Sequence, residues 1–261
     1  MFLKLVKHEL HESFRLLLPM FGGLLLMGGL ARGSIWVMEQ TENPVFNVFG
    51  VMLIGLFFLS CVAVVVAAMI LMMVRFARSV HGDEGYLTHT LPVGTHAILL
   101  SRVLVSLLGL LCAYATVYLS FRICVSEVHI MQDVREFFSL VFRESGLFGS
   151  GHPLLRLGVL LLVSSLSSIL QIFAAISIGH SFNTGKTGKS VLFYFVLSFA
   201  SSLITNLITA ILTATKLLQG ERDFSQITNL STALSLSISV ILIGVYYFIT
   251  WIMTRKRLNL A

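Results

Sequence analysis

The chain has 261 residues, of which 56% are hydrophobic and 11% charged, with a formal net charge of +6 and a mean hydropathy of +0.92. Soluble domains carry roughly 25% charged residues, so a chain of this length and balance cannot hide its apolar surface in a water-exposed fold. That excludes a soluble globular domain and leaves lipid as the solvent.

Read from its start, residues 1–15 place Phe2, Leu3, Val6, Leu10 and Phe14 at spacings of three and four. Such a stripe suits an amphipathic helix lying in the membrane interface. Lys4 and Lys7 are mixed with Glu9 and Glu12, and no small-residue cleavage site follows, so the pattern is not that of a signal peptide. Six apolar runs then follow, at about Leu16–Met38, Phe46–Val74, Ala97–Phe121, Leu154–His180, Val191–Thr215 and Leu230–Met253. A helix of about 20 residues crosses a hydrocarbon core of about 30 Å. A β-barrel would show alternating segments of about ten residues, unlike these continuous runs. The expected fold is all-α: one polytopic membrane domain, residues 1–261, with six transmembrane helices.

The connections divide into two sets. On one side lie Arg75–His96 and Ser181–Ser190; on the other lie Glu39–Asn43, Arg122–Pro153 and Lys216–Asn229. With the N-terminus cytoplasmic, 11 of the 18 Lys and Arg residues fall inside with four of the 12 Asp and Glu residues, leaving seven and eight outside. Net charge is then +7 inside and −1 outside, as the positive-inside rule expects, so both termini are placed in the cytoplasm. The overall +6 thus reflects orientation, and nucleic acid is not an expected partner. In the long outer segment 122–153, Ile130, Val134, Phe137, Phe138, Val141 and Phe142 share a helical face opposite Asp133, Arg135, Glu136 and Arg143. This reads as a short amphipathic helix on the outer surface.

Several catalytic patterns fail on inspection. Asn183–Ser190 reads NTGKTGKS and ends like a phosphate-binding loop, but Asn183 stands where that loop needs its first glycine and no strand precedes it. His8, Glu9 and His11 give HELH, the wrong spacing for two zinc ligands on one helical face. No G-x-S-x-G elbow occurs. His81, His89 and His96, eight and seven residues apart in one loop, are a weak metal pattern. Cys61, Cys112 and Cys124 form no C-x-x-C pair and read as apolar filler. The chain is therefore expected to be non-catalytic, with no metal or cofactor of its own.

Polar residues within the spans carry more. Ser164, Ser165, Ser168 and Gln171 mark the fourth; Ser198, Ser201, Ser202, Thr205, Asn206 and Thr209 mark the fifth; Thr228, Ser231, Thr232, Ser235 and Ser239 mark the sixth. Spacings of three and four give each helix one small, polar face, which either packs closely against neighbours or lines a route. Ser201, Ser202, Thr205, Asn206, Thr209 and Ser235 are the candidates for that face. Arg32 sits within one or two turns of the outer end of its span and can snorkel outward. No span carries a central Asp or Glu, which argues against ion-coupled transport and a proton relay.

The segment Gly82–Leu104, GDEGYLTHTLPVGTHAILLSRVL, between the second and third spans is the most distinctive. With an interfacial start, six spans and cytoplasmic termini, it resembles the permease subunits of bacterial type-2 ABC exporters, whose first inner loop reads like D-E-G-Y-L-T-x-T-L-P-V, here Asp83–Val93. The later GHSFN, Gly179–Asn183, is similar more loosely. The resemblance implies a coupling helix that docks on a separate ATP-binding cassette subunit, which holds the ATP and Mg. It also implies a second permease, identical or related, with the pathway between the two bordered by the second and fifth spans. Tyr86, Leu87 and Leu91 would be apolar anchors, Asp83 and Glu84 a helix cap or partners of basic groups, Pro92 the stop, and Thr95 the cap of the next span. The sequence departs from many such permeases in its short, polar outer segment between the last two spans, so the cargo does not follow from the likeness. The competing reading is a membrane sensor or scaffold whose inner loops hold a signalling partner without transport.

Overall fold

A computed structural model of the chain describes residues 2–41, 43–81, 94–124, 153–182, 185–218 and 224–256. Every regular element among them is helical, in agreement with the all-α expectation. In chain order these are α1 (Phe2–Gln40), α2 (Pro44–Phe76), a π-helical turn (Ala77–His81), α3 (Thr95–Cys124), α4 (Pro153–Gly179), α5 (Lys186–Leu218) and α6 (Phe224–Lys256). All six long helices contain a stretch apolar enough to cross a membrane: Leu5–Gln40, Pro44–Val80, Thr95–Cys124, Gly158–Gly179, Lys186–Thr215 and Ala233–Arg255. The chain is thus a multi-pass membrane protein in its helix content; each span overlaps its hydropathy run, the first beginning earlier, at Leu5.

Local chemistry sets several helix starts. Asn43 accepts the Val45 N–H at its Oδ1 (3.3 Å) and the Asn47 N–H at its carbonyl (3.3 Å), while Pro44 takes the first helical position, where no N–H is needed. Pro153 opens α4 in the same way. The Gly94 carbonyl accepts from Ala97 (2.9 Å) and Ile98 (3.3 Å), so Gly94 is the residue that caps α3 and Thr95 is already helical. The cap expected at Thr95 moves back one residue because glycine serves at this position without a side-chain acceptor.

The first helix departs from expectation. Residues 2–15 do not form a separate element but run through Pro19 into the span, the missing proline N–H notwithstanding. Leu17, Phe21, Leu24, Gly28 and Ala31 are buried at spacings of four and three, and the same seam continues backward to Ser13 and Glu9. Val6, Leu10 and Phe14 of the expected apolar stripe are only half-buried. The opening turns continue the buried seam of the span.

Two compact units divide the chain. The first takes the described residues within Met1–Val74 and Leu104–Val134. Its core is Leu17, Phe21, Leu24 and Ala31 of α1, Phe57, Val64, Ala68 and Met72 of α2, and Ala113 and Cys124 of α3. Spacings of three and four on α1 and α2 make near-heptad seams, the usual geometry of lipid-embedded bundles. Helices α1 and α3 touch closely at Gly28: a Cβ there would stand 2.9 Å from the Ser120 carbonyl oxygen, and the Ser120 hydroxyl donates to the Leu24 carbonyl at 2.9 Å. Only glycine leaves room for that bond.

The second unit takes the described residues within Arg75–Val103 and Arg135–Ala261. Helix α4 is central, packed against both α5 and α6, which also meet each other. Ile169, Leu170, Phe173, Ala174, Ala175 and Ile176 of α4 are all buried. By contrast, no residue in the apolar window of α5 is buried. Its exposed Phe195, Phe199, Leu203 and Leu207 suit contact with lipid, where apolar exposure costs little.

Candidate functional site

The two stems of the connection between α2 and α3 belong to the second unit, and each is fastened to a different helix. On the incoming side, Phe76 and Val80 are buried, and the Phe76 ring lies flat on Phe173 of α4, with centroids 3.7 Å apart and planes 7° from parallel. The wide turn Ala77–His81 begins immediately after this stack. A π-turn accommodates an extra residue in a helix and so changes the rotation of what it carries. On the outgoing side, Ile98, Leu99 and Ser101 are buried, and the Ser101 hydroxyl donates to the Ile98 carbonyl at 2.7 Å.

His96, in the first turn of α3, reaches α6. Its Nδ1 is 3.1 Å from the Tyr247 hydroxyl, and its ring stacks on Trp251 at 4.9 Å and 19°. The Arg255 guanidinium carbon lies 5.4 Å from the centre of the Trp251 ring, on the cation–π line. Tyr247, Trp251 and Arg255 are spaced by four, which sets them one above another on a single helical face. The neighbouring face, Tyr246, Thr250 and Thr254, is buried at the same spacing, with each threonine hydroxyl donating one turn back at 2.7 Å. The buried face therefore fixes which way the ladder points.

The connection between α4 and α5 closes tightly. A Cβ at Gly179 would stand 2.5 Å from both Cα and N of Ser190, so the two helix ends meet backbone to backbone. The His180 Nδ1 lies 3.0 Å from the Ile176 carbonyl, an acceptor only, which assigns the proton to that nitrogen. Ser190 Oγ is 3.4 Å from the same nitrogen and donates its own proton to the Lys186 carbonyl at 2.9 Å. Phe182 stacks on Phe193 at 5.7 Å, and the Lys189 Nζ sits 4.5 Å from the centre of the Phe182 ring. The GHSF segment thus works as a clasp between two helices.

The residues expected to couple to a partner, Asp83, Glu84, Tyr86, Leu87, Leu91 and Pro92, lie outside the described residues, as does the outer amphipathic stretch Ile130–Phe142. The polar face of α5 is described. Thr205 and Thr209 donate to the carbonyls of Ser201 (2.9 Å) and Thr205 (2.8 Å), and Ser201 to Ser198 (3.0 Å). Asn206 Nδ2 donates to Ser202 Oγ at 3.1 Å. Ser201, Thr205 and Thr209 form a half-buried stripe, whereas Ser202 and Asn206 face outward. Ser235 is half-buried on α6, its carbonyl taking the Ser239 hydroxyl at 2.7 Å. These bonds on α5 stay within one helix, so its polar face needs no neighbour to be satisfied.

Sequence reasoning missed the His96–Trp251 ladder and the Phe76–Phe173 stack. Y-x-x-x-W-x-x-x-R at the end of an apolar run is the signal that could have drawn attention to α6. Neither a protein-family model, nor a curated protein, nor a solved structure matches this chain.

Proposed function

We propose that the chain is the membrane-spanning, non-catalytic subunit of an ABC transporter, an exporter driven by ATP and Mg on a separate ATP-binding subunit. In this reading it pairs with a second copy or a related permease in the cell membrane, with both termini cytoplasmic. The Asp83–Val93 sequence docks on the ATP-binding subunit, with Tyr86 and Leu87 as anchors.

The observation that carries the reading is how that sequence is mounted. It joins two stems that are buried and attached to different helices, Phe76 to α4 and His96 to α6. A push on the connection bears on both helices at once, because a stacked ring cannot part from its neighbour without losing the contact. An ordinary solvent-facing loop has no need of such attachments. The lack of Asp or Glu among the described residues of this unit supports the reading too, since coupling ions are usually held by carboxylates.

Co-expression with an ATP-binding cassette subunit, if one is encoded beside this chain, tests it. The pair should co-purify, and ATP turnover should rise when the complex is placed in lipid. Replacing Tyr86 and Leu87 together by Glu removes two anchors worth about 2 kcal/mol each at hot spots, so affinity should fall by roughly several hundredfold. Stimulated turnover should be lost with it. A stable double variant that still binds and stimulates the ATPase would refute the docking assignment. Binding without ATP-dependent export in vesicles would favour the sensor or scaffold.

A further inference from the structure

The described residues of the second unit carry cations at their helix ends. Among its described residues there is no Asp or Glu, yet Arg75, Arg78, Arg102, Lys186, Lys189 and Arg255 belong to it. Arg75 and Arg78 lie at the end of α2 and its π-turn, Lys186 and Lys189 at the start of α5, and Arg255 at the end of α6. These are the ends that the Phe76, His96 and Gly179 contacts gather together. Clustered cations at the end of membrane helices are the electrostatic counterpart of an anionic leaflet.

We propose that the Tyr247–Trp251–Arg255 face of α6, with His96 of α3 laid against it, binds the phosphate of an anionic phospholipid headgroup. Three features select that ligand. First, depth: Arg255 is the last residue of the apolar stretch Ala233–Arg255. The eight steps from Tyr247 to Arg255 cover about 12 Å of helix at 1.5 Å per residue, against an interfacial zone roughly 5–8 Å thick on each side of the hydrocarbon. The ladder therefore reaches from the upper acyl chains through the headgroup layer.

Second, donor geometry. Arg255 is exposed, and its planar guanidinium lies over an aromatic ring, with no carboxylate beside it among the described residues. Stacking uses the face of the guanidinium and leaves its in-plane N–H fork for a phosphate, to which it can bond through two parallel contacts. Third, His96 is exposed beside Trp251, with one ring nitrogen engaged by Tyr247, so the other nitrogen is available to the same anion. Trp and Tyr are the side chains that settle at headgroup depth, with an apolar body and a polar tip. The site does not depend on what the chain transports.

Trp251 is its own reporter, because the sequence holds only two tryptophans and the other, Trp36, is exposed on α1 and can be replaced by Phe. The full-length W36F chain would be reconstituted in phosphatidylcholine vesicles doped either with dibrominated phosphatidylglycerol or with the same fraction of dibrominated phosphatidylcholine. Bromine quenches only a tryptophan that it touches. The anionic lipid should quench Trp251 about fivefold more strongly, the preference one well-placed cation confers near an anionic surface. Arg255→Gln should bring the ratio close to one and His96→Ala should lower it, while Arg255→Lys should keep part of it. Arg255 is exposed, so helicity and elution volume should not change in either Arg255 variant. Equal quenching by the two lipids would overturn the proposal, as would a preference that survives Arg255→Gln. Loss of quenching with inorganic phosphate, but not with chloride of equal ionic strength, would also overturn it by making a soluble phosphate the ligand.

Discussion

The two units solve the same problem with different contacts. In the first, three helices interlock along apolar seams, and the Ser120 hydroxyl bonds across to the Leu24 carbonyl where a glycine admits it. In the second, helices meet through flat aromatic contacts, Phe76 on Phe173 and His96 on Trp251, and through the clasp at Gly179. Interlocked seams resist sliding because each side chain sits in a notch of its neighbour. Stacked rings resist separation but tolerate lateral shifts, since an offset stack is at least as favourable as a centred one. The contrast assigns rigidity to the first unit and movable contacts to the second, and it does so without reference to any ligand.

Breaking the second unit should cost most. Phe173→Ala empties the space under Phe76 and should destabilise the protein by about 3 kcal/mol, the lower end for a buried aromatic because lipid already resembles the interior. Thermal unfolding in detergent should show it, and protease should cut sooner between α2 and α3. An unchanged melting curve would mean that the stack is incidental. The first unit should yield next. Gly28→Ala meets the backbone of Ser120, which cannot turn aside as a side-chain end can, and should cost about 2 kcal/mol by overpacking. The same readout would show a change near zero if α1 and α3 were loosely held.

The smallest effects sharpen the comparison by setting one hydroxyl against another. Ser120→Ala removes a bond between helices and should cost about 0.6–1 kcal/mol, typical of such bonds in membranes. Thr205→Val removes a bond that its helix makes with itself and should fall within about 0.3 kcal/mol, at the level of ordinary surface changes. Equal losses at the two sites would mean that the α5 hydroxyls join helices after all.

Much of this was legible in the sequence. Hydropathy located all six spans, since a helix of about 20 apolar residues has few other uses. What it could not give was rotation. Phe2, Val6, Leu10 and Phe14 looked like a face chosen by the membrane surface, but α1 is one rod and its seam from Leu17 to Ala31 decides how the earlier turns point. Nor does spacing by four say whether a threonine bonds a neighbour or its own preceding turn; on α5 it is the latter. His96 and Tyr247 are 151 positions apart, beyond the reach of any local pattern. The anchors Tyr86 and Leu87 rest on the sequence alone.

The self-contained bonding of α5 bears on how the protein is made. A nascent helix enters the bilayer one segment at a time, and any polar side chain then without a partner is charged its full cost in hydrocarbon. Helix α5 brings its own acceptors for Ser201, Thr205 and Thr209, and Ser202 for Asn206, so it can leave the insertion machinery before α6 has been synthesised. Ser120 on α3 bonds backward to α1, which is already in place when α3 emerges. For these hydroxyls and for Asn206, chain order and bonding pattern agree: each meets the membrane with a partner in its own helix or in one that arrived earlier.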